Sequence, residues 1–114
     1  MIADDDPGIV DAVEMMLGFE GYDVVSTMNG ATVISMDDDY PDLLLLDIWM
    51  SGHDGRDICK LLKQKDATKN IPVIMISASP ELKRSAADAG ADDFLEKPFD
   101  IDVLLSKIEK LIQL

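Results

Sequence analysis

The stretch Pro41-Asp42-Leu43-Leu44-Leu45-Leu46-Asp47 decides the fold. Its four leucines are continuous, with no polar residue alternating between them. A central parallel strand covered on both faces reads this way, because neither side of the pleat meets water. The strand ends at Asp47. Ile71 to Ile76 repeats the pattern.

Working outward, Met1 to Ala3 reads as the end of a short strand that runs into Asp4-Asp5-Asp6. Pro7 then opens a helix where its missing N–H costs nothing, and Asp6 is placed to cap it. Ile9, Val13, Met16 and Leu17 share a face of that helix, and Gly21 ends it. Tyr22 to Ser26 is the second expected strand. Asn29-Gly30 is a turn, followed by a shorter helix carrying Val33 and Ile34 toward Asp37-Asp38-Asp39. After Asp47 come a loop with Gly52 and Gly55 and a helix with Ile58, Leu61 and Leu62 inside. Pro80 to Ala89 is helical and stops at Gly90. Asp93 to Leu95 is a short strand. Asp100 caps a last helix in which Val103, Leu104, Ile108, Leu111 and Ile112 recur at helical spacing. Strands alternating with helices over short connections make a parallel sheet with helices on both faces.

A chain of 114 residues is expected to form one domain, residues 1–114. Apolar residues at 47% and charged residues at 29% exclude a disordered tail or a disulfide scaffold. Against 23 acidic residues stand 10 basic ones, a net charge of −13, which repels phosphate backbones and argues against direct nucleic-acid binding. The single cysteine, Cys59, cannot close an intramolecular disulfide and reads as a small buried hydrophobe. The methionines read mostly as core filler. No apolar run reaches the roughly 18 residues of a membrane span, and no signal-peptide pattern precedes Asp4, so a soluble cytoplasmic domain is the expectation.

In such sheets ligands sit beyond the carboxyl ends of the strands, where strand order reverses. Asp4 and Asp5 follow the first strand, Asp47 ends the third, Ser77 ends the fourth and Lys97 lies just past the fifth. Taken singly, each is an ordinary cap, turn or surface residue. Together they bring three carboxylates, a hydroxyl and an ammonium to one mouth. Three crowded carboxylates need a compensating cation, and oxygen-only ligands suit Mg²⁺. Asp47 is then a candidate nucleophile for an aspartyl phosphate, with Lys97 and the metal neutralising the phosphoryl oxygens.

Five segments in this order resemble the receiver domain of two-component response regulators. They are Ala3-Asp4-Asp5-Asp6-Pro7, Pro41 to Asp47, Gly52-His53-Asp54-Gly55, Ile71 to Ala78, and Phe94-Leu95-Glu96-Lys97-Pro98-Phe99. The resemblance implies an α/β fold: a doubly wound five-stranded parallel sheet in the order 2-1-3-4-5, with five flanking helices. It also implies that Asp47 is the phosphoacceptor. Asp5 would ligate Mg²⁺ directly, Asp4 through water, and the Trp49 backbone carbonyl would be a further ligand. Ser77 matches the switch hydroxyl, Lys97 its companion lysine, and Phe94 the aromatic that moves with the hydroxyl. Lys97-Pro98 matches the family's cis peptide.

The implied partners are a histidine kinase or histidine phosphotransfer protein, and an output domain or downstream protein. A homodimer through the fourth helix, fifth strand and last helix is also implied, since Lys83, Arg84, Lys107 and Lys110 gather there. Ser51 stands where the family usually has proline. Trp49 is bulky enough to shield an acyl phosphate from water. Only three residues precede Asp4, and the family's first strand normally starts a few residues earlier. His53 lies in a glycine-rich loop and reads as surface. Two rival readings are a Mg²⁺-dependent phosphohydrolase and a receiver-like module that is never phosphorylated. The first is weakened because Trp49 occupies the place where related phosphatases carry an acid.

Overall fold

A computed structural model describes residues 1–50 and 52–112. In chain order the elements are β1 (Ile2–Ala3), α1 (Pro7–Phe19), β2 (Ser26–Thr27), α2 (Gly30–Ile34), β3 (Leu44–Asp47), β4 (Trp49–Met50) and β5 (His53–Asp54). They continue with α3 (Gly55–Gln64), β6 (Val73–Ser77), α4 (Leu82–Ala89), β7 (Asp93–Glu96) and α5 (Ile101–Ile112). Five strands form one parallel sheet in the order β2-β1-β3-β6-β7, which is the expected 2-1-3-4-5 order. Pairing of β1 with both β2 and β3 marks the place where strand order reverses.

The leucine run resolves into two faces. Leu44 and Leu46 pack with Val73 and Met75 beneath α2, α3 and α4, against Val33, Ile58, Leu62, Leu82 and Ala86. Leu45 packs with Ile74 and Ile76 beneath α1 and α5, against Val13, Leu17, Leu104 and Ile108. The period of two is present but hidden from the sequence, because both faces are buried. Asp6 caps α1 as expected, accepting from the Gly8 and Ile9 amides at 2.9 and 3.3 Å. Asp100 accepts from the Asp102 amide at 2.9 Å.

Several expectations shift. The second strand is Ser26–Thr27 rather than Tyr22–Ser26, because its only neighbour in the sheet, β1, supplies two pairing positions, opposite Ser26 and Thr27. The helix after Gly30 stops at Ile34, short of the aspartate run, whose residues disfavour helix. Leu61 and Val103 are exposed rather than inside. On α3 the buried positions are Gly55, Ile58, Cys59 and Leu62, and on α5 they are Leu104 and Ile108, leaving those two side chains off the packed stripe. Of the methionines, Met50 and Met75 are core, while Met15, Met16 and Met28 are exposed. Cys59 is fully buried, and burial pushes its thiol up to about 11. Ser51 lies outside the described residues. The loop after Asp47 contains a small antiparallel pair, β4 with β5, in which Trp49 faces Asp54.

That pair returns the chain so closely that only glycine fits at the start of α3. The Gly55 amide donates to the Ile48 carbonyl at 2.6 Å. A Cβ at Gly55 would collide with the Asp47 carbonyl oxygen and lie 2.9 Å from the Ile48 Cα, both backbone atoms that cannot swing aside. Gly55→Ala is expected to cost about 1–3 kcal/mol in urea denaturation, by forcing apart the backbone behind Asp47. Unchanged stability would show that this backbone yields freely.

Candidate functional site

Three strand ends build the mouth. Asp4 leaves β1 with its amide held by the Thr27 carbonyl at 3.1 Å. Asp47 closes β3, and Lys97 follows β7 with its amide held by the Ser77 carbonyl at 2.9 Å. These backbone bonds deliver the side chains to one place. Carboxylate oxygens of Asp4, Asp5 and Asp47 lie within 4.8 Å of one another. The Lys97 Nζ sits 3.0 Å from Asp4 Oδ2 and 3.5 Å from Asp47 Oδ1. Asp4 is fully buried, Asp47 nearly so, and Asp5 is exposed.

The charges do not balance. Burial, then the neighbouring Asp4 charge, pushes the Asp47 carboxyl up to about 6, against the pull of Lys97 and of the Trp49 backbone amide. Burial works against the Lys97 ammonium, but the facing carboxylates of Asp4 and Asp47 prevail and hold it above its ordinary value. Asp4 Oδ1 accepts from the Asp6 amide at 2.9 Å. Asp4 Oδ2 is ion-paired with Lys97 yet accepts no well-formed hydrogen bond among the described residues. A buried oxygen left so, in a cluster with two further carboxylates, suits a hard divalent cation with oxygen ligands. The donor set therefore fits Mg²⁺.

Ser77 ends β6, as expected, and is buried there; its Oγ accepts from the Ser79 amide at 3.0 Å. Phe94 is not in the mouth. It lies along β7 opposite Met75 and packs on the α4 side of the sheet. The Trp49 indole is 59% exposed and carries the Arg56 guanidinium 4.9 Å from its ring centroid. Arg56 is held in turn by both carboxylate oxygens of Asp54, at 2.7 to 3.2 Å. No periodicity marks this cluster. It forms because the β4–β5 turn folds residues 49, 54 and 56 together. Lys97-Pro98 is cis, as the resemblance implies. His53 is half-buried, not loop surface, and its Nδ1 has no hydrogen-bond partner among the described residues.

Comparison with known proteins agrees with this geometry. The family model for the response regulator receiver domain matches residues 1–109. Over 99% of its length the chain is 36% identical to the DNA-binding dual master transcriptional regulator RpaA of Synechocystis, covering 48% of that protein. It is also 36% identical to the response regulator PleD of Caulobacter vibrioides, covering 97% of this chain and 25% of PleD. The chain thus spans half or less of these relatives. Among solved structures, the receiver domain of NtrX from Brucella abortus superposes with a TM-score of 0.87 at 32% identity, covering 98% of this chain and 96% of that one. The Francisella response regulator 1452 receiver domain gives 0.87 at 30%, covering 98% and 93%.

The raised Asp47 carboxyl has a stability consequence. Between its unfolded value of 3.8 and its folded value of about 6, the native state binds more protons than the unfolded chain. Stability attributable to this group therefore falls as pH rises through that window and stays low above it. In chelator at about pH 7.5, Asp47→Asn is expected to exceed the parent by about 1–3 kcal/mol, and the gap should close below about pH 4. A gap independent of pH in urea denaturation would contradict this account.

Proposed function

The chain belongs to the response regulator receiver family, a signalling module of two-component systems rather than a conventional enzyme, and on that premise we propose that it is a switch thrown by phosphorylation of Asp47. The observation that carries the reading is a cluster of three carboxylates, Asp4, Asp5 and Asp47, with oxygens within 4.8 Å of one another, two of which face one ammonium: Lys97 Nζ lies 3.0 Å from Asp4 and 3.5 Å from Asp47.

Membership implies a cognate kinase. In our reading the donor is a phosphohistidine, on that histidine kinase or on a phosphotransfer protein. An ionised Asp47 oxygen attacks phosphorus, the P–N bond breaks as the P–O bond forms, and the imidazole leaves with the electron pair. Lys97 offsets the charge that gathers on the phosphoryl oxygens. Asp4, Asp5, Asp47 and the Trp49 carbonyl would hold Mg²⁺, which supplies further positive charge there. Asp47 alone among the three carboxylates ends the central strand, so the transfer is to the group the sheet holds most firmly.

The Ser77 oxygen accepts from the Ser79 amide, and its hydroxyl proton is left to donate to the new dianion. Ser77 then turns toward the phosphoryl group, and Phe94 moves into the space behind it. The face of α4, β7 and α5 repacks, a shift between two populations. That face exposes Lys83, Arg84 and Lys110 on an otherwise acidic protein, which supports docking of an output domain, a partner or a second copy there.

Incubation with acetyl phosphate and Mg²⁺ is expected to add one phosphate by intact mass. Asp47→Asn or chelation of the metal should abolish the gain, and Lys97→Met should slow it about 10- to 100-fold. A gain that survives Asp47→Asn refutes the assignment. Trp49→Ala should shorten the lifetime of the phosphoprotein severalfold, timed in the same way, if the indole keeps water from the anhydride. An unchanged lifetime removes that role.

A further inference from the structure

We propose that Lys107 is a positioning residue for the switch: it latches Phe94 in its present place, and the ring must escape that latch before the phosphorylated packing can form. The inference rests on the reading of Phe94 given above and adds a regulating contact to it.

β7 is an edge strand of the sheet. Its alternation sends Phe94 to the α4 side, with Met75 and Leu82, and Leu95 to the α5 side, with Leu104 and Ile108. Lys107 belongs to α5, yet its ammonium reaches the edge and serves residues of both sides. The Nζ lies 2.9 Å from Asp93 Oδ1 and 5.3 Å from the centroid of the Phe94 ring. The same Asp93 oxygen accepts from the Phe94 amide at 2.8 Å. One carboxylate oxygen therefore joins the backbone of Phe94 to the cation that covers its ring. Both charged side chains are about three-quarters buried, at 24% and 28% exposure, so water screens the pair less than an open surface pair.

Arg84 and Lys69 make the contrast. Their ion pairs, with Asp88 and Asp66, join residues four and three apart on the open surface and touch no ring. Lys107 instead ties residues 14 apart. A ring that moves inward, toward the end of β6, leaves the ammonium behind and forfeits the cation–π contact. The latch therefore favours the packing seen here, and its removal favours the other. A ligand that selects the other packing gains apparent affinity as that packing becomes more populated.

The test is a beryllofluoride titration of the full chain in saturating Mg²⁺, followed by fluorescence of Trp49, the one tryptophan. Lys107→Met is expected to bind beryllofluoride about fivefold more tightly than the parent, the size of a partly buried cation–π contact together with its ion pair. Lys107→Arg keeps the charge over the ring and should restore the parental midpoint. In a Phe94→Leu background, which retains apolar volume without a ring, Lys107→Met should lose most of its effect, since the pair then has nothing to couple. A parental midpoint in Lys107→Met overturns the latch, as does equal tightening with and without the ring. A parent that shows no response to beryllofluoride, and gains no phosphate from acetyl phosphate, instead overturns the phosphorylation reading itself.

Discussion

The ion pairs of Lys97 with Asp4 and Asp47 are the constraint on which the rest of the site depends. Two carboxylates buried at adjacent strand ends repel each other and have lost their water. One ammonium, at 3.0 and 3.5 Å, stands against them. It does not suffice. The Asp47 carboxyl is still pushed up to about 6, and a buried Asp4 oxygen lacks a well-formed hydrogen bond among the described residues. Removing a partner from such a group costs more than the pair is worth intact, so the arrangement persists only where something else repays it. A site short of positive charge is predisposed toward a divalent cation.

The sheet holds this frustrated cluster in register. Leu44 to Asp47 pair residue for residue with Val73 to Ile76, and both strands are buried on both faces. A packed two-sided layer cannot slip by one residue without exchanging its faces. Gly55 adds a second clamp from behind, where the backbone of α3 leans on the backbone of Asp47 and Ile48. The positions of Asp4, Asp47 and Lys97 are thus set by apolar packing remote from any charge. This explains how the cluster tolerates its own repulsion.

The fold was legible because the leucine run could be little other than a central strand, and because capping residues such as Asp6 and Asp100 act through their own local backbone. The acidic mouth was legible for a topological reason: parallel strands all end on one side, so polar residues after successive strands must meet. What the sequence hid lies at edges and turns. The extent of β2 depends on how much of β1 faces it, which no local pattern records. The stack of Arg56 on Trp49 depends on a two-strand turn whose residues carry no periodic signal. Leu61 and Val103 look like core residues by type and spacing, but the stripes that α3 and α5 bury, Ile58, Cys59 and Leu62 on one and Leu104 and Ile108 on the other, leave them outside. Ser77 was placed correctly in sequence, but the commitment of its hydroxyl to the Ser79 amide appears only in three dimensions.

The two ends of β7 join these themes. Lys97 follows its last residue and answers to the carboxylates, while Phe94, near its start, answers to α4 and α5. Strand β6, beside it, pairs Ser77 with Glu96 and Met75 with Phe94, so the hydroxyl at the mouth and the ring at the edge ride on neighbouring strands in fixed register. The mouth and the outer face are thus joined through one strand pair. The central strands are paired on both sides, whereas the edge strand is paired with β6 alone, so fewer neighbours fix its packing. A central place for Asp47 and an edge place for Phe94 are two consequences of one strand order. A sheet in which β7 lay centrally would keep the acidic cluster and lose the edge on which Lys107 reaches Phe94.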